Sequence, residues 1–242
     1  MKTVLKINLF LFFLIGIVTS CISGNGQSNS GNRIKEVRDV HDFSGISVSN
    51  GIELRLGIGS TEKVEIETNE NLISKVTTEV HKGILKISIN QSSWGLNNNH
   101  REIKAFVTAK QLESIHASSG SSIMGISEIT GDHLSLEASS GSETTLQIKE
   151  SETVVQSSSG SSMILKGKSD KIELSASSGS KIKADELNSE TAIVEASSGS
   201  DIYLSVSKSL DAHASSGSSI HYSGKPGSVS KDKSSGASID AE

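Results

Sequence analysis

Serine hydroxyls are the commonest reactive group in this chain, and they recur at a regular interval. Seven Ser-Ser-Gly triplets lie between residue 118 and the C-terminus, with glycines at Gly120, Gly141, Gly160, Gly179, Gly199, Gly217 and Gly236, separated by 21, 19, 19, 20, 18 and 19 residues. A serine oxygen attacks a substrate only when a base stands beside it, and the repeat supplies no consistent base. Four residues before each glycine stand His116, Glu137, Gln156, Ser175, Glu195, His213 and Asp232. Two after come Ser122, Glu143, Ser162, Lys181, Asp201, Ser219 and Ser238; four after come Met124, Thr145, Ile164, Lys183, Tyr203, His221 and Asp240. None of these columns puts two carboxylates in adjacent repeats, as calcium binding or acid–base cleavage of a glycan requires. His213 and His221 flank one turn on strands that diverge from it. The Gly-Ser steps repeat as structure, with no nucleophile elbow on a strand-to-helix turn. The expectation is a protein with no catalytic residues, no metal site and no cofactor.

Without chemistry, the hydroxyls have two remaining uses. They serve as structural corners, or the outward row forms a flat array matching a repetitive ligand such as a glycan or ice. The elements around them follow from the period. Three residues before the glycines stand Ala117, Ala138, Ser157, Ala176, Ala196, Ala214 and Lys233; five before stand Ile115, Leu136, Val155, Leu174, Val194, Ala212 and Lys231; three after stand Ile123, Thr144, Met163, Ile182, Ile202, Ile220 and Ile239. Apolar residues therefore recur at every second position on both sides of the triplet, which is the pattern of a strand with one buried face. A repeat near 19 residues with a fixed turn marks a solenoid in which each repeat is one coil. The predicted fold is all-β, a single-stranded parallel β-helix with an irregular N-terminal β cap, its equivalent residues stacked about 4.8 Å apart. By parity, Ser119, Ser140, Ser159, Ser178, Ser198, Ser216 and Ser235 should turn inward. The preceding column, Ser118, Ser139, Ser158, Ser177, Ser197 and Ser215, should face solvent as the candidate binding ladder. The glycines should take the backbone conformation closed to other residues at the bend.

The N-terminus carries the other chemically competent residue. Lys2 and Lys6 precede a short apolar run from Leu9 to Val18, too short for a permanent membrane helix and suited to an export signal over residues 1–20. Val18-Thr19-Ser20-Cys21 follows and resembles a lipobox, in which the cysteine sulfur receives a diacylglycerol. Cys21 is the sole cysteine, so no internal disulfide can form. Residues 21–33 read as a flexible tether, residues 34–116 as irregular coils and cap, and residues 117–242 as the regular repeats. These expectations give an exported protein, lipid-anchored through Cys21 in the cell envelope.

Charge excludes one class of partner. The whole chain carries a formal charge of −5, and −7 once Lys2 and Lys6 are removed with the signal. No basic stripe exists for nucleic acid. Beyond residue 20 the aromatic residues are Phe43, Trp94, Phe106, Tyr203 and Tyr222, too few for a stacking platform.

Ahead of the repeats, Ile46 and Val48 precede Gly51 while Leu54 and Leu56 follow it, at the same offsets as in the later coils, which predicts a divergent first coil. His81-Lys82-Gly83 reads as a tight turn, and Ser92 to His100, with Trp94, as a protruding loop. Phe43-Ser44-Gly45-Ile46, Asn50-Gly51-Ile52-Glu53-Leu54, Gly83-Ile84-Leu85-Lys86-Ile87 and the stacked Ser-Gly-Ser turns together resemble the bacterial "putative auto-transporter adhesin" family with a head GIN domain, over about residues 38 to 223. In this sequence the Gly-Ile-Asn signature becomes Gly51-Ile52-Glu53. The resemblance implies a right-handed, pectin-lyase-like β-helix, adhesion as the role and no catalytic residues. The expected function is a non-enzymatic envelope lipoprotein acting as an adhesin-like scaffold on a glycan or on an envelope or host surface protein. The alternative is a periplasm-facing protein that binds polysaccharide or another envelope protein. A polysaccharide-active enzyme or an ice-binding surface is more distant.

Overall fold

The structure, a computed structural model, describes residues 32–89 and 102–242. The signal, Cys21, nearly all of the tether and the loop with Trp94 lie outside the described residues. In chain order the elements are β1 (Arg33–Arg38), β2 (Gly45–Val48), β3 (Glu53–Ile58), β4 (Lys63–Asn69), α1 (Glu70–Ile73), β5 (Val76–His81), β6 (Ile84–Ile89), β7 (Lys104–Ala109), β8 (Ser114–Ala117), β9 (Ser122–Gly125) and β10 (Ile129–Ala138). There follow β11 (Glu143–Ser157), β12 (Ser162–Ala176), β13 (Lys181–Ala196), β14 (Asp201–Ala214), β15 (Ser219–Ser223), β16 (Ser228–Lys233) and β17 (Ser238–Ala241). From β8 onward every pairing is parallel, residue on equivalent residue, as in Leu136↔Val155 and Val155↔Leu174. The chain is a parallel β-solenoid, and its inward columns form one continuous apolar core from Phe43 to Ile239.

The Ser-Ser-Gly corner departs from simple strand parity. The serine before each glycine has φ between 50° and 53°, and the glycine has φ between 69° and 74°. The N–H of the residue after the glycine donates to the carbonyl of the first serine, as from Ser161 to Ser158 at 3.2 Å. Two central residues at positive φ with that bond make a type I′ turn. Alternation between faces holds only for extended backbone, so two left-handed residues reset it. Ser119, Ser140, Ser159, Ser178, Ser198, Ser216 and Ser235 accordingly lie exposed on the turn, not inward as parity suggests.

The inward hydroxyls belong instead to the residues after the glycine. Ser121, Ser142, Ser161, Ser180, Ser200 and Ser218 are all buried. Each accepts the N–H of the first turn serine of its own coil and donates to a backbone carbonyl of the preceding coil. For Ser180 these bonds are Ser177 N–H at 3.1 Å and Ser157 O at 2.8 Å. The glycine N–H donates the other way, to the turn serine carbonyl of the following coil, as from Gly160 to Ser178 at 3.1 Å. Each corner is thereby bonded to the coils on both sides of it.

At the N-terminal end, stacking order departs from chain order. β2 pairs with both β6 and β8, and β3 with both β7 and β9. The coil of β2 and β3, turning at Asn50-Gly51, thus sits directly on the regular array. The later strands β6 and β7 make the coil outside it. Antiparallel strands finish this end: β5 on β6, β4 on β7 and β1 on β4. The β5–β6 hairpin closes at Lys82-Gly83, both at positive φ.

Two glycines separate conformational cost from steric cost. A Cβ at Gly160 would touch nothing within 4 Å, whereas one at Gly167 would stand 2.2 Å from the Ile148 carbonyl oxygen. Gly160→Ala should lower unfolding free energy by about 1–2 kcal/mol, the left-handed penalty alone. Gly167→Ala should cost clearly more, because a backbone carbonyl must move; urea denaturation measures both. Ser180→Ala should cost about 1 kcal/mol. Ser161→Ala should cost more, since it also removes the 2.8 Å partner of the buried Ser157 hydroxyl. Ser177→Ala on the outer row should stay within about 0.5 kcal/mol. Equal losses at Ser177 and Ser180 would refute this assignment of the two rows.

Candidate functional site: a serine-lined groove

Three adjacent columns just before the turns enclose a groove of about 480 Å³. Its base is the small buried column Ala138, Ser157, Ala176, Ala196 and Ala214. One wall is Glu137, Gln156, Ser175, Glu195, His213 and Asp232, and the other includes Ser158, Ser177, Ser197, Ser215 and Ser234. Small residues at the base between longer neighbours leave a trough, and the parallel register carries it unbroken across six coils. At the strand spacing its length is about 24 Å, running along the solenoid axis.

The ladder proposed from sequence is part of this trough. Ser158, Ser177, Ser197 and Ser215 line it, while Ser118 and Ser139 continue the same column beyond its N-terminal end. All six are half-buried, and among the described residues none of their hydroxyls bonds within the chain. The facing Gln156, Ser175 and Glu195 side chains likewise make no hydrogen bond or ion pair among the described residues. Several charges elsewhere on the rod are paired. Lys171 holds Glu152 at 2.7 Å and Glu173 at 2.8 Å, Lys166 holds Glu186 at 2.8 Å, and Lys208 holds Glu190 at 2.6 Å. At the trough ends His116 lies 3.1 Å from Glu137, and His213 lies 3.7 Å from Asp232. The middle of the trough therefore presents unspent donors and acceptors. Sequence columns named the two polar walls as far as Ser215; the hollow between them depends on side-chain volume, which the apolar–polar pattern alone does not register.

One carboxyl has the perturbation expected of a catalytic acid. Glu150 is only 4 % exposed, and neither carboxyl oxygen has a hydrogen-bond partner. Burial, with a smaller contribution from the charge of Asp132 and opposition from His133, pushes it up to about 7. Raised carboxyls often mark active sites; this one packs under Gly131, where a Cβ would stand 3.0 Å from its Oε2. Among the described residues no group of three or more His, Cys, Asp or Glu is arranged to hold a metal ion.

The fold is a parallel β-solenoid with a polar trough along one side. Residues 42–226 match the family described as "Putative auto-transporter adhesin, head GIN domain", and the chain belongs to that family. Among solved structures, one described as a "putative adhesin" from Bacteroides fragilis superposes with a TM-score of 0.82 at 20 % identity, covering 88 % of this chain and 98 % of that one. A "putative adhesin" from Parabacteroides merdae gives 0.73 at 18 % identity, covering 88 % and 97 %. A "putative lipid binding protein" from Parabacteroides distasonis gives 0.71 at 19 % identity, covering 88 % and 98 %. At these identities the likeness is one of fold. None of the curated proteins matches this sequence.

Glu150 generates a pH prediction. The folded protein keeps this proton up to about pH 7, whereas the unfolded chain releases it near the ordinary value of 4.5. The folded state therefore binds more protons between these limits, and the contribution of Glu150 to stability falls as pH rises through that window. Glu150→Gln should raise the melting temperature at pH 8 and leave it nearly unchanged at pH 4. An equal shift at both would mean that the carboxyl is not protonated in the fold.

Proposed function

We propose that this chain is a non-enzymatic lipoprotein of the cell envelope that binds an extended, repetitive partner along the serine-lined trough. The observation that carries the reading is the row of unspent hydroxyls at Ser158, Ser177, Ser197 and Ser215, facing the unpaired Gln156, Ser175 and Glu195 across a trough six coils long. Each coil presents the same small polar set one strand spacing further on, so a polymer with a comparable repeat meets equivalent groups at every step. Single contacts of this kind are weak. A partner held at several points gains through high local concentration, because each further contact forms within an existing complex. A neutral glycan or an extended segment of an envelope or host surface protein has the required shape. Membership of the adhesin family supports this reading, as do the adhesin descriptions of structures with the same fold. Cys21, after its apolar leader, would supply the lipid anchor in the outer membrane, with the residues between it and β1 as the tether and the antiparallel strands β1, β4 and β5 nearest the membrane. The solenoid at residues 117–242 would then project away from the lipid.

Two measurements test the proposal. The triple variant Ser158→Lys, Ser177→Lys, Ser197→Lys should lose glycan-array or matrix-protein binding at least tenfold while its melting temperature stays within a few degrees. Loss of both together would remove the trough as a binding site. Protease shaving of intact cells, with a periplasmic protein as leakage control, should digest the solenoid. Protection until the outer membrane is opened would exclude direct adhesion and redirect the search to periplasmic polysaccharide and envelope proteins.

A further inference from the structure

The trough repeats at a fixed step, and that step limits what can lie in it. Its walls are columns of a parallel stack, so equivalent groups recur along the axis about every 4.8 Å. The wall of Ser158, Ser177, Ser197 and Ser215 offers a hydroxyl at each step, and the facing Gln156, Ser175 and Glu195 offer an amide, a hydroxyl and a carboxylate. The floor between them is apolar at Ala138, Ala176, Ala196 and Ala214. A ligand in register therefore needs polar groups on both edges, an apolar underside and an advance close to one strand spacing.

An extended peptide fails on advance. Its side chains recur on one edge about every 6.7 Å, so a contact made at one coil is out of step at the next. The trough also lies on a sheet face, where no strand edge takes up the N–H and C=O groups of an added peptide. An acyl chain fails on its edges, because the wall hydroxyls and the Glu195 carboxylate would lose water without gaining a partner. A polyanion meets Glu137, Glu195 and Asp232 along one wall.

A neutral β-(1→4)-linked pyranose chain meets all three conditions. Each ring advances the chain by little more than one strand spacing. Each ring also turns over relative to the last, so its hydroxyl edges meet the two walls alternately while a C–H face lies on the alanine methyls. We propose that the ligand of the trough is a polysaccharide of this class, bound lengthwise with one ring per coil; the assignment rests on the trough being the binding surface. Among the described residues no Phe, Tyr or Trp lines the trough. Each ring is therefore held weakly, by hydrogen bonds, and affinity accumulates with every further ring that finds a coil.

The test is calorimetric titration of the purified full chain, in a detergent without a sugar headgroup, with cello-, manno-, xylo- and chito-oligosaccharides of increasing length. At least one series should gain about threefold in affinity with each added ring, the worth of one weak hydrogen bond. Malto-oligosaccharides contain the glucose of the cello series, but their α linkage coils the chain and shortens its advance, so they should show no such gain. Ser177→Lys should end the gain at three rings, because only the coils of Ser197, Ser215 and Ser234 remain in line beyond the obstruction. A malto series that gains as steeply, or silence from every β-linked series, overturns the proposal. In the case of silence, loss of matrix-protein binding in the triple lysine variant would still leave the trough as a binding site. A β-linked series that gains equally in wild type and Ser177→Lys overturns both readings, because the glycan would then lie elsewhere on the rod.

Discussion

The corner between Ser-Ser-Gly and the next serine carries the constraint on which the rod depends. A backbone that reverses direction around a core must pack a bend inside a stack where each neighbour is one strand spacing away. Two left-handed residues make that bend, and the buried hydroxyl that follows accepts an N–H from its own coil and donates to a carbonyl of the coil before it. The glycine N–H reaches the coil after it. Serine is small enough to lie inside the stack and able to donate and accept at once. Adjacent coils are thereby fixed in register, and every column beyond the corner inherits that alignment. The ion pairs on the outer faces, between side chains that stay largely solvated, add little by comparison.

The alignment also makes the trough. A hollow in one coil is a dent; the same hollow in six consecutive coils, in register, is a channel. Its charge is mixed, with Glu137 and Asp232 beside histidines at the ends and Glu195 alone within. Such a surface, on a chain of net negative charge, is electrostatically unsuited to polyanions. The perturbed Glu150 lies outside the trough, its oxygens packed against Gly131, and its altered proton affinity bears on folding.

Much of the architecture was legible from the residues. Alternating Ile, Leu and Val around a glycine every 19 or so positions identified the strands, the parallel stack and the inward columns, because period-two burial is a property of extended backbone. The reading failed where the backbone was not extended. Ser119 and its equivalents were expected inside and are outside. A signal for this existed at Asn50-Gly51, the turn of the first coil, since Asn-Gly is the pair most typical of two successive left-handed residues. The hydroxyls that are buried follow the glycine at Ser121, Ser142 and their equivalents, a column as regular as the two before it. Stacking order at the N-terminal end had no such signal. Leu85 and Ile87 alternate like any other strand, and nothing in that alternation tells which neighbour β6 will choose.

That stacking order determines how rods of this type can change length. The coil of β2 and β3 is clamped between strands that precede and follow it in space but both come later in the chain. An additional repeat inserted there would have to break two established pairings. Between β10 and β15, by contrast, each coil pairs only with its immediate neighbours, so duplication or loss of one unit leaves both ends as they were. Growth is therefore confined to the middle, and each added unit extends the trough by one strand spacing. Length becomes a heritable quantity, counted in whole coils, that can vary without redesign of either end.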